Sequence, residues 1–436
     1  MQRTERDSMA QLFTRYLPIE QALALDQSDP LSGARRLFFV PPFGEGDSIY
    51  LTGNSLGLQP RSAQAYLQQE LDDWKTLGVE GHFHAKNPWM PYHESLAPSL
   101  ARLAGGLPSE VVAMGSLTHN LHLALASFYK PSGSRTAILT EEKSFPSDRY
   151  ALTSHIQWHG LHAATELIEV PPMENGKPHS EETILQTIDT HGDRIALFLF
   201  GGVNYFTGQV FCMEKITRAA QAKGIIVGWD LAHAIGNVPL QLHQWNVDFA
   251  AWCSYKYLNS SPGGVGGLFV HERHHHDKSL TRLAGWWGQN KDRRFLMEPD
   301  FDPIPSAEAW QVSNAPILSM AVHRAALAIF DAYDLSLLRQ KSLALSQALI
   351  GILDNAAVVT GEPIEIFTPR EEAHRGSQIS VRFPKRDKAF FNALTQKGVV
   401  ADWREPDCIR MAPVPLYNSF EDLSRLESLI LELLSQ

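Results

Sequence analysis

The stretch IALFLFGGVNYFTGQVFCMEKITRAAQAKGIIVGWD (195–230) shows how this chain is built. Two short apolar runs, IALFLFGGV (195–203) and GIIVGWD (224–230), are typical of strands buried on both faces. Between them, EKITRAAQAKG (214–224) is typical of a helix that ends at a glycine after a basic last turn. This order of strand, helix and strand predicts a mostly parallel sheet covered by helices, and therefore an α/β fold.

The rest of the chain extends this pattern and then departs from it. RTAILT (135–140) predicts another buried strand, whereas SMAVHRAALAIFDAYDLSLLRQKSLALSQALIGILDNA (319–356) has apolar residues at helical spacing over many turns. A strand, SQISVRF (377–383), a helix, KAFFNALTQKG (388–398), and a closing helix from about Ser419 follow. We therefore expect a large domain over residues 76–318 and a smaller α+β domain over residues 319–436. The pattern alone assigns the first 75 residues to neither domain.

Composition excludes several classes of protein. The chain has 436 residues and a net charge of -10, which argues against a nucleic-acid-binding surface. No apolar run approaches the ~20 residues of a membrane span, and MQRTERDSMAQLF (1–13) lacks the apolar core of a signal peptide. Cys212, Cys253 and Cys408 have no metal-type spacing and suit a reducing compartment. We expect a cytoplasmic protein with no membrane or nucleic-acid partner.

A single lysine stands in WCSYKYLNSSPGGVGGLFV (252–270), an otherwise nearly uncharged stretch. In one interpretation the stem of Lys256 packs and its ammonium reaches water. In the other, Lys256 lies in a pocket that lowers its pKa, so that its neutral amine can attack a carbonyl. The first arrangement is the commoner one for any lone lysine, so other parts of the chain must decide.

A carboxylate and a histidine follow the strand GIIVGWD. Ligands of open α/β sheets bind beyond the carboxyl ends of the strands, which is where Asp230 falls. An aspartate here could equally cap a helix, and His233 could equally satisfy a hydrogen bond in the core. Lys256 follows the next predicted strand, DFAAWCSY (248–255), so the side chains of Asp230 and Lys256 can point into one cleft.

Two further stretches add groups at the same edge of the sheet. In VAMGSLTHNLHLALASFYK (112–130) a strand gives way to a helix whose first N–H groups, near Ser116 and Thr118, can bind phosphate or can simply be capped. In EEKSFPSDRY (141–150), Phe145 offers an aromatic face and Asp148 a second carboxylate.

These pieces together fit one ligand. A lysine, a carboxylate for a ring nitrogen, an aromatic ring for stacking and a helix N-terminus for a phosphate are what pyridoxal 5'-phosphate requires. Their order along the chain resembles the large domain of fold-type I pyridoxal-phosphate enzymes.

Longer stretches resemble the kynureninase family nearly from end to end. They are YLTGNSLGLQP (50–60), NLHLALASFYKP (120–131), FPSDRYA (145–151), WDLAHAIGN (229–237), CSYKYLNSSPGGVGG (253–267), GWWG (285–288), WQVSNAPI (310–317) and IRMAPVPLYNSF (409–420). The resemblance implies a fold-type I architecture in which residues 1–75 pack with the small domain. It also implies a homodimer with active sites at the subunit interface.

The resemblance also implies roles for individual residues. Lys256 would form the Schiff base with the cofactor, Asp230 would pair with its ring nitrogen, and Tyr255 is our candidate proton donor. Cofactor contacts would come from Leu117, Thr118, Phe145, Ser147, Asp148, Asp230, His233, Tyr255 and Lys256, with Trp286 and Asn314 from the neighbouring subunit. Substrate contacts would come from Arg410 at the α-carboxylate and from His82, Ser313 and Asn314 at the aromatic end, with His84 as the alternative to His82.

The implied reaction is the hydrolytic cleavage of the Cβ–Cγ bond of L-kynurenine, or of its 3-hydroxy form, to an anthranilate and L-alanine. Two alternatives remain, a related enzyme such as a cysteine desulfurase and a catalytically silent pyridoxal-phosphate-binding protein. The desulfurase would need a mobile cysteine, and the silent protein would not need Arg410.

Two sequence features complete these expectations. The resemblance predicts a serine or threonine where this chain has Gly201, which cannot supply a hydroxyl to the cofactor. HERHHHDK (271–278) has no fixed acidic partner, so we interpret it as a solvated turn and predict no metal site.

Overall fold

The structure, a computed structural model, describes residues 16–174 and 176–436. The stretch MQRTERDSMAQLF, from which we expected no signal peptide, lies outside the described residues.

The α-helices are numbered in chain order. They are α1 (Ile19–Ser28), α2 (Ala63–Leu77), α3 (Gly81–His84), α4 (Ala97–Ala104), α5 (Leu117–Phe128), α6 (Pro146–Trp158), α7 (Ala163–Glu166), α8 (Glu181–His191), α9 (Met213–Ala222), α10 (Ile317–Asp331), α11 (Leu335–Thr360), α12 (Lys388–Gln396) and α13 (Phe420–Leu434).

The β-strands are numbered in the same way. They are β1 (Phe38–Phe39), β2 (Pro42–Phe43), β3 (Gly46–Asp47), β4 (Ile49–Tyr50), β5 (Gln59–Pro60), β6 (Val111–Ala113), β7 (Ala137–Glu141), β8 (Leu167–Val170), β9 (Ile195–Gly201), β10 (Ile226–Asp230), β11 (Phe249–Cys253), β12 (Gly266–Val270), β13 (Glu365–Ile366), β14 (Ile379–Arg382), β15 (Val399–Val400), β16 (Asp402–Arg404) and β17 (Cys408–Met411).

A mostly parallel sheet of seven strands forms the centre of the molecule, in the order β6-β12-β11-β10-β9-β7-β8. Strands β7 to β11 pair in parallel, and β12 runs antiparallel to both of its neighbours. Asp230 lies beside Gly201 on one side and beside Ala251 on the other. The predicted α/β fold is therefore confirmed, and the strand ends that carry the candidate residues meet at one edge.

The predicted elements near this edge are confirmed within a few residues. The runs at 135–140, 195–203 and 224–230 form β7, β9 and β10, and their side chains are almost all buried. The long helical stretch divides into α10 and α11, because the Asp334 side chain accepts a hydrogen bond from Ser336 N and begins a new helix.

The small sheet has four antiparallel strands in the order β13-β14-β17-β16, and α11 and α13 pack together beside it. The N-terminal segment reaches this part of the molecule, since β4 pairs with β15 and α1 packs on α13. Met320, Leu327 and Phe330 of α10 lie instead in the core of the large sheet. The domain boundaries proposed from the sequence stay predictions.

Helix α11 is long and apolar enough to cross a membrane, judged by length and composition alone. Half of its most apolar stretch is buried inside the protein, where α11 packs on α13 and β14. This burial is typical of the core helix of a folded domain.

Candidate active site

A cavity of about 240 Å³ lies at the carboxyl ends of β7, β9, β10 and β11. Most of the cofactor residues predicted from the sequence lie around it. They are Leu117, Thr118, Phe145, Ser147, Asp148, Asp230, His233, Tyr255 and Lys256. The parallel strands bring these residues together at their carboxyl ends. This is the edge at which open α/β sheets bind their ligands.

The Lys256 side chain points into this cavity and is only 9% exposed. Its Nζ donates a hydrogen bond to His233 Nε2 at 3.0 Å and lies 5.8 Å from the centre of the Phe145 ring. Burial, with the nearby Lys256 charge, lowers the pKa of His233 well below its usual range. His233 is therefore neutral and orients the lysine as a hydrogen-bond acceptor.

Asp148 and Asp230 form a hydrogen-bonded pair inside the cavity. Burial raises the pKa of both carboxyl groups, and the negative charge of Asp230 raises that of Asp148 further. Asp148 therefore holds its proton more tightly than a free aspartate does, and Asp230 accepts a hydrogen bond from Ala232 N at 2.7 Å. Residues 232–237 form turns, so Asp230 does not cap an α-helix.

The N-terminus of α5 faces the same cavity. Ser116 precedes the helix in an extended conformation, and its side chain makes no capping hydrogen bond. The first N–H groups of α5 and the nearby hydroxyls therefore remain available to an anion. Gly115 has φ +49°, and a Cβ there would lie 2.5 Å from Asn120 Oδ1, so this turn requires glycine.

Glu141 also lines the cavity, although it was not predicted from the sequence. Its carboxylate accepts hydrogen bonds from Asn204 Nδ2 at 2.8 Å and from Gly201 N at 3.3 Å. A Cβ on Gly201 would lie 3.2 Å from Glu141 Oε1. The Glu141 carboxyl thus lies beside the position where the resemblance predicted a hydroxyl. The sequence signal that could have pointed to Glu141 was its position at the end of the predicted strand RTAILT (135–140).

Burial raises the pKa of Glu141 to about 7. Because the folded state then binds this proton more tightly than the unfolded state does, Glu141 lowers the free energy of unfolding as pH rises from about 4.5 to about 7. Replacing Glu141 by glutamine should stabilise the cofactor-free protein relative to wild type at pH 8 and not at pH 5. The expected difference is at most about 3 kcal/mol.

Urea unfolding of both proteins at the two pH values measures this effect. Glu142→Gln removes one charge outside the cavity and controls for net charge. A stability difference between Glu141→Gln and wild type that does not change with pH would contradict the assignment.

Arg410 does not line the cavity but adjoins it. Its side chain is 1% exposed, and its Nη1 donates to the backbone oxygen of Tyr205, a cavity residue, at 2.6 Å. Its other contacts are with Asp402, which also contacts Arg404. Neither Asp402 nor Arg404 was predicted from the sequence, because DWREPD is typical of an exposed, charged turn.

The remaining predicted residues lie outside this cavity. Trp286 is 43% exposed, and Ser313 and Asn314 are exposed. His82 is half-buried on the short helix α3 with its Nδ1 2.9 Å from Val79 O, whereas His84 is exposed near Glu80. The cavity of a single subunit therefore does not contain all of the cofactor-binding and substrate-binding residues that were predicted from the sequence.

Tyr255 and Cys253 also line the cavity. Burial raises the pKa of the Tyr255 hydroxyl, which therefore keeps its proton at neutral pH and can donate it. Burial also raises the pKa of the Cys253 thiol, and that of Cys408 to about 12. Cys253 and Cys408 both lie on strands, so neither is a mobile thiolate.

The histidine run is only in part the solvated turn predicted from the sequence: Glu272, Arg273, His276 and Lys278 are exposed, whereas His271 and His275 are buried. His271 lies near Glu110 and His243, and the potential metal-ligating atoms of these three residues lie within 4.8 Å of one another. Glu110 already accepts hydrogen bonds from His243 Nδ1 at 2.9 Å and from the backbone N–H of Leu107 and Glu272. These contacts explain the cluster as part of the packing.

Comparison with known proteins decides the family. The chain is 51% identical over 405 residues to a kynureninase of Koribacter versatilis, covering 93% of this chain and 95% of that one. The chain belongs to the kynureninase family. A kynureninase of Xanthomonas campestris is 50% identical over 420 residues, which cover 95% of this chain and 98% of the other. The family model of the kynureninase C-terminal domain matches residues 338–430.

Solved structures agree on the fold. The cysteine desulfurase CsdA of Escherichia coli superposes with a TM-score of 0.74 at 15% identity, covering 93% of this chain and 98% of that one. The cystine C–S lyase C-DES superposes with a TM-score of 0.73 at 17% identity, covering 88% of this chain and 97% of that one. This kynureninase family member therefore has the fold of these enzymes, which confirms the predicted fold-type I architecture.

The cavity of this kynureninase family member fits pyridoxal phosphate. It offers a buried amine at Lys256, a carboxyl pair at Asp148 and Asp230, and an aromatic face at Phe145. Among the described residues, the buried atoms Asp148 Oδ1 and His233 Nδ1 have no hydrogen-bond partner. Such unpaired buried atoms beside a cavity are expected where a polar ligand completes the site.

Proposed function

We propose that this protein is a pyridoxal-phosphate-dependent kynureninase, which hydrolyses the Cβ–Cγ bond of L-kynurenine to anthranilate and L-alanine. One observation carries the proposal: the chain is about half identical to kynureninases over 93–95% of its length. That identity extends over the cavity and over the small domain that holds Arg410.

Pyridoxal phosphate, when bound, supplies an electron sink for the carbanion at the α-carbon of the substrate. Lys256 would bind the cofactor aldehyde, and Asp230 would hold the proton on its ring nitrogen. Thr118, with the N–H groups that begin α5, would bind the phosphate. Phe145 would lie against the ring face.

The side chains of this chain also handle the protons of the reaction. Lys256 Nζ takes the proton from the α-carbon of the substrate, because it is the amine that the substrate displaces. Neutral His233 accepts a hydrogen bond from this Nζ and keeps it oriented. Tyr255 keeps its hydroxyl proton and is our proposed donor to the β-carbon after anthranilate leaves. Arg410 binds the α-carboxylate of the substrate.

The two alternatives receive less support. A desulfurase needs a mobile thiolate, and neither Cys253 nor Cys408 offers one, since both thiols are buried on strands. A silent cofactor-binding protein has no need of the buried, oriented guanidinium of Arg410.

The experiment is a substrate panel with the cofactor-loaded protein. L-Kynurenine and its 3-hydroxy form are compared with L-cysteine, and the products are followed by the fluorescence of anthranilate and by L-alanine. We expect anthranilate and alanine in equal amounts from kynurenine. Release of sulfur from cysteine without cleavage of kynurenine would instead support the desulfurase.

We also propose a homodimer in which Trp286 and Asn314 of one subunit complete the cavity of the other. Three facts support it: both side chains are exposed, neither lines the cavity of its own subunit, and large apolar side chains are exposed around Trp286. They are Leu283, Phe295, Leu296, Met297 and Phe301. Exposed apolar surface of this kind is typical of a subunit interface.

Replacing Trp286 by alanine should weaken the affinity for pyridoxal phosphate, because each cavity would lose a contact from the neighbouring subunit. Cofactor titration measures this affinity, and the activity of wild type should fall on dilution below the dimer dissociation constant. Trp158→Ala, at another exposed tryptophan, is the matched control. A protein that is monomeric by light scattering and fully active in the same buffer would contradict the dimer.

We propose a cytoplasmic location for this enzyme. The three cysteines are free, which suits a reducing compartment. The net charge of -10 gives no support to a nucleic-acid partner.

A further inference from the structure

Three charged side chains, those of Asp402, Arg404 and Arg410, lie in contact on two neighbouring strands of the small sheet. Asp402 on β16 lies directly opposite Arg410 on β17. Arg410 donates from Nη2 to Asp402 Oδ2 at 2.8 Å and from Nε to Oδ1 at 3.2 Å. Arg404 Nη2 donates to Asp402 Oδ2 at 3.1 Å, and its Nε lies 2.9 Å from Oδ1. One carboxylate therefore holds two guanidinium groups.

These three side chains extend from the interior of the protein to its surface. The Arg410 side chain is 1% exposed, that of Asp402 12% and that of Arg404 36%. Two positive charges and one negative charge leave one positive charge in excess. A buried excess charge is unfavourable unless a partner of opposite sign binds there.

Four titratable side chains that interact with Arg410 do not cancel this charge. They are His233, Tyr205, Tyr257 and Cys408. Burial lowers the pKa of the histidine and raises the pKa of both tyrosines and of the cysteine, so all four are neutral at neutral pH.

The hydrogen bonds of Arg410 leave room for such a partner. A guanidinium group has five N–H donors. Two of those of Arg410 go to Asp402 and one goes to Tyr205 O. Among the described residues the other two have no acceptor, and they lie on Nη1 and Nη2. A carboxylate can accept hydrogen bonds from two N–H groups of one guanidinium.

We propose that Asp402 and Arg404 are positioning residues for the carboxylate of the substrate. Asp402 fixes the plane of the Arg410 guanidinium through two hydrogen bonds. Arg404 neutralises Asp402, so that the charge of Arg410 stays available to the incoming carboxylate. The inference rests on the proposed function, in which Arg410 binds the α-carboxylate.

The first test removes the positive charge of Arg404. Arg404→Gln leaves Asp402 and Arg410 as a neutral pair, and KM for kynurenine should rise roughly 10- to 100-fold with kcat nearly unchanged. Arg404→Lys keeps the charge and should recover most of this loss. Arg382→Gln, at another arginine of the same sheet that pairs with carboxylates and is 34% exposed, is the matched control and should leave KM unchanged.

The second test removes the carboxylate and uses a ligand that is not cleaved. Asp402→Asn should also raise KM, and both Asp402→Asn and Arg404→Gln should weaken L-alanine, whose Kd is read from the visible absorbance of the cofactor-loaded protein. Because the Arg404 side chain is partly exposed, its variants keep the proposal testable if Asp402→Asn fails to fold.

Two results would overturn the proposal. Unchanged KM and Kd in Arg404→Gln would remove any role in binding, and tighter binding in Asp402→Asn would mean that Asp402 competes with the substrate. If wild type does not cleave kynurenine but the Kd for L-alanine responds as expected, the proposed function fails and this inference stands.

Discussion

Replacing Lys256 by alanine should abolish turnover, with a loss of at least roughly 10²- to 10⁴-fold, because both the covalent anchor and the base disappear. The other groups around the cavity remain, so non-covalent pyridoxal phosphate should still bind. Steady-state rates and the visible absorbance of the purified protein measure the two effects separately.

Borohydride reduction followed by peptide mass analysis tests the same residue in wild type. The reduced cofactor should be attached to Lys256, and Lys385→Ala, at an exposed lysine that follows β14, should behave as wild type. Finding the reduced cofactor on a different lysine would end this assignment.

Replacing Arg410 by alanine should lower kcat/KM for kynurenine by roughly thirty- to several-thousand-fold. Removing one partner of a buried, hydrogen-bonded charge pair has an energetic cost of about 2–5 kcal/mol. The cofactor spectrum should stay intact, because Arg410 does not line the cavity. Arg410→Lys should recover only part of the loss, since lysine restores the charge without the bidentate geometry.

A kynurenine analogue without the α-carboxylate is the control for Arg410. It should bind wild type and Arg410→Ala equally weakly, and Arg382→Ala should bind kynurenine as wild type does. If wild type binds the analogue as tightly as it binds kynurenine, Arg410 does not recognise the carboxylate.

The large sheet could be predicted because its strands are buried on both faces and read as continuous apolar runs. Asp230 and Lys256 could be assigned to one cleft for the same reason, since each follows such a run. The break between α10 and α11 was missed because apolar spacing continues through it, and only the capping side chain of Asp334 marks it.

The parts of the site that were missed depend on contacts between distant segments. Glu141 gains its importance from Asn204 and Gly201, which belong to another strand and the loop after it. Arg404 and Asp402 form an ordinary charged pattern in the sequence. Only the pairing of β16 with β17 places them on Arg410, whose burial no local pattern reveals.

The arrangement of the cavity has a thermodynamic consequence. Its groups lie at the ends of separate strands and at the start of α5, so they converge only when the whole large sheet is folded. The cofactor site therefore exists only in the native state, and binding at this site shifts the folding equilibrium by mass action. A free concentration one hundred times Kd adds about 2.7 kcal/mol to the free energy of unfolding. The supply of pyridoxal phosphate should thus govern how long the chain survives proteolysis, as well as how fast it works.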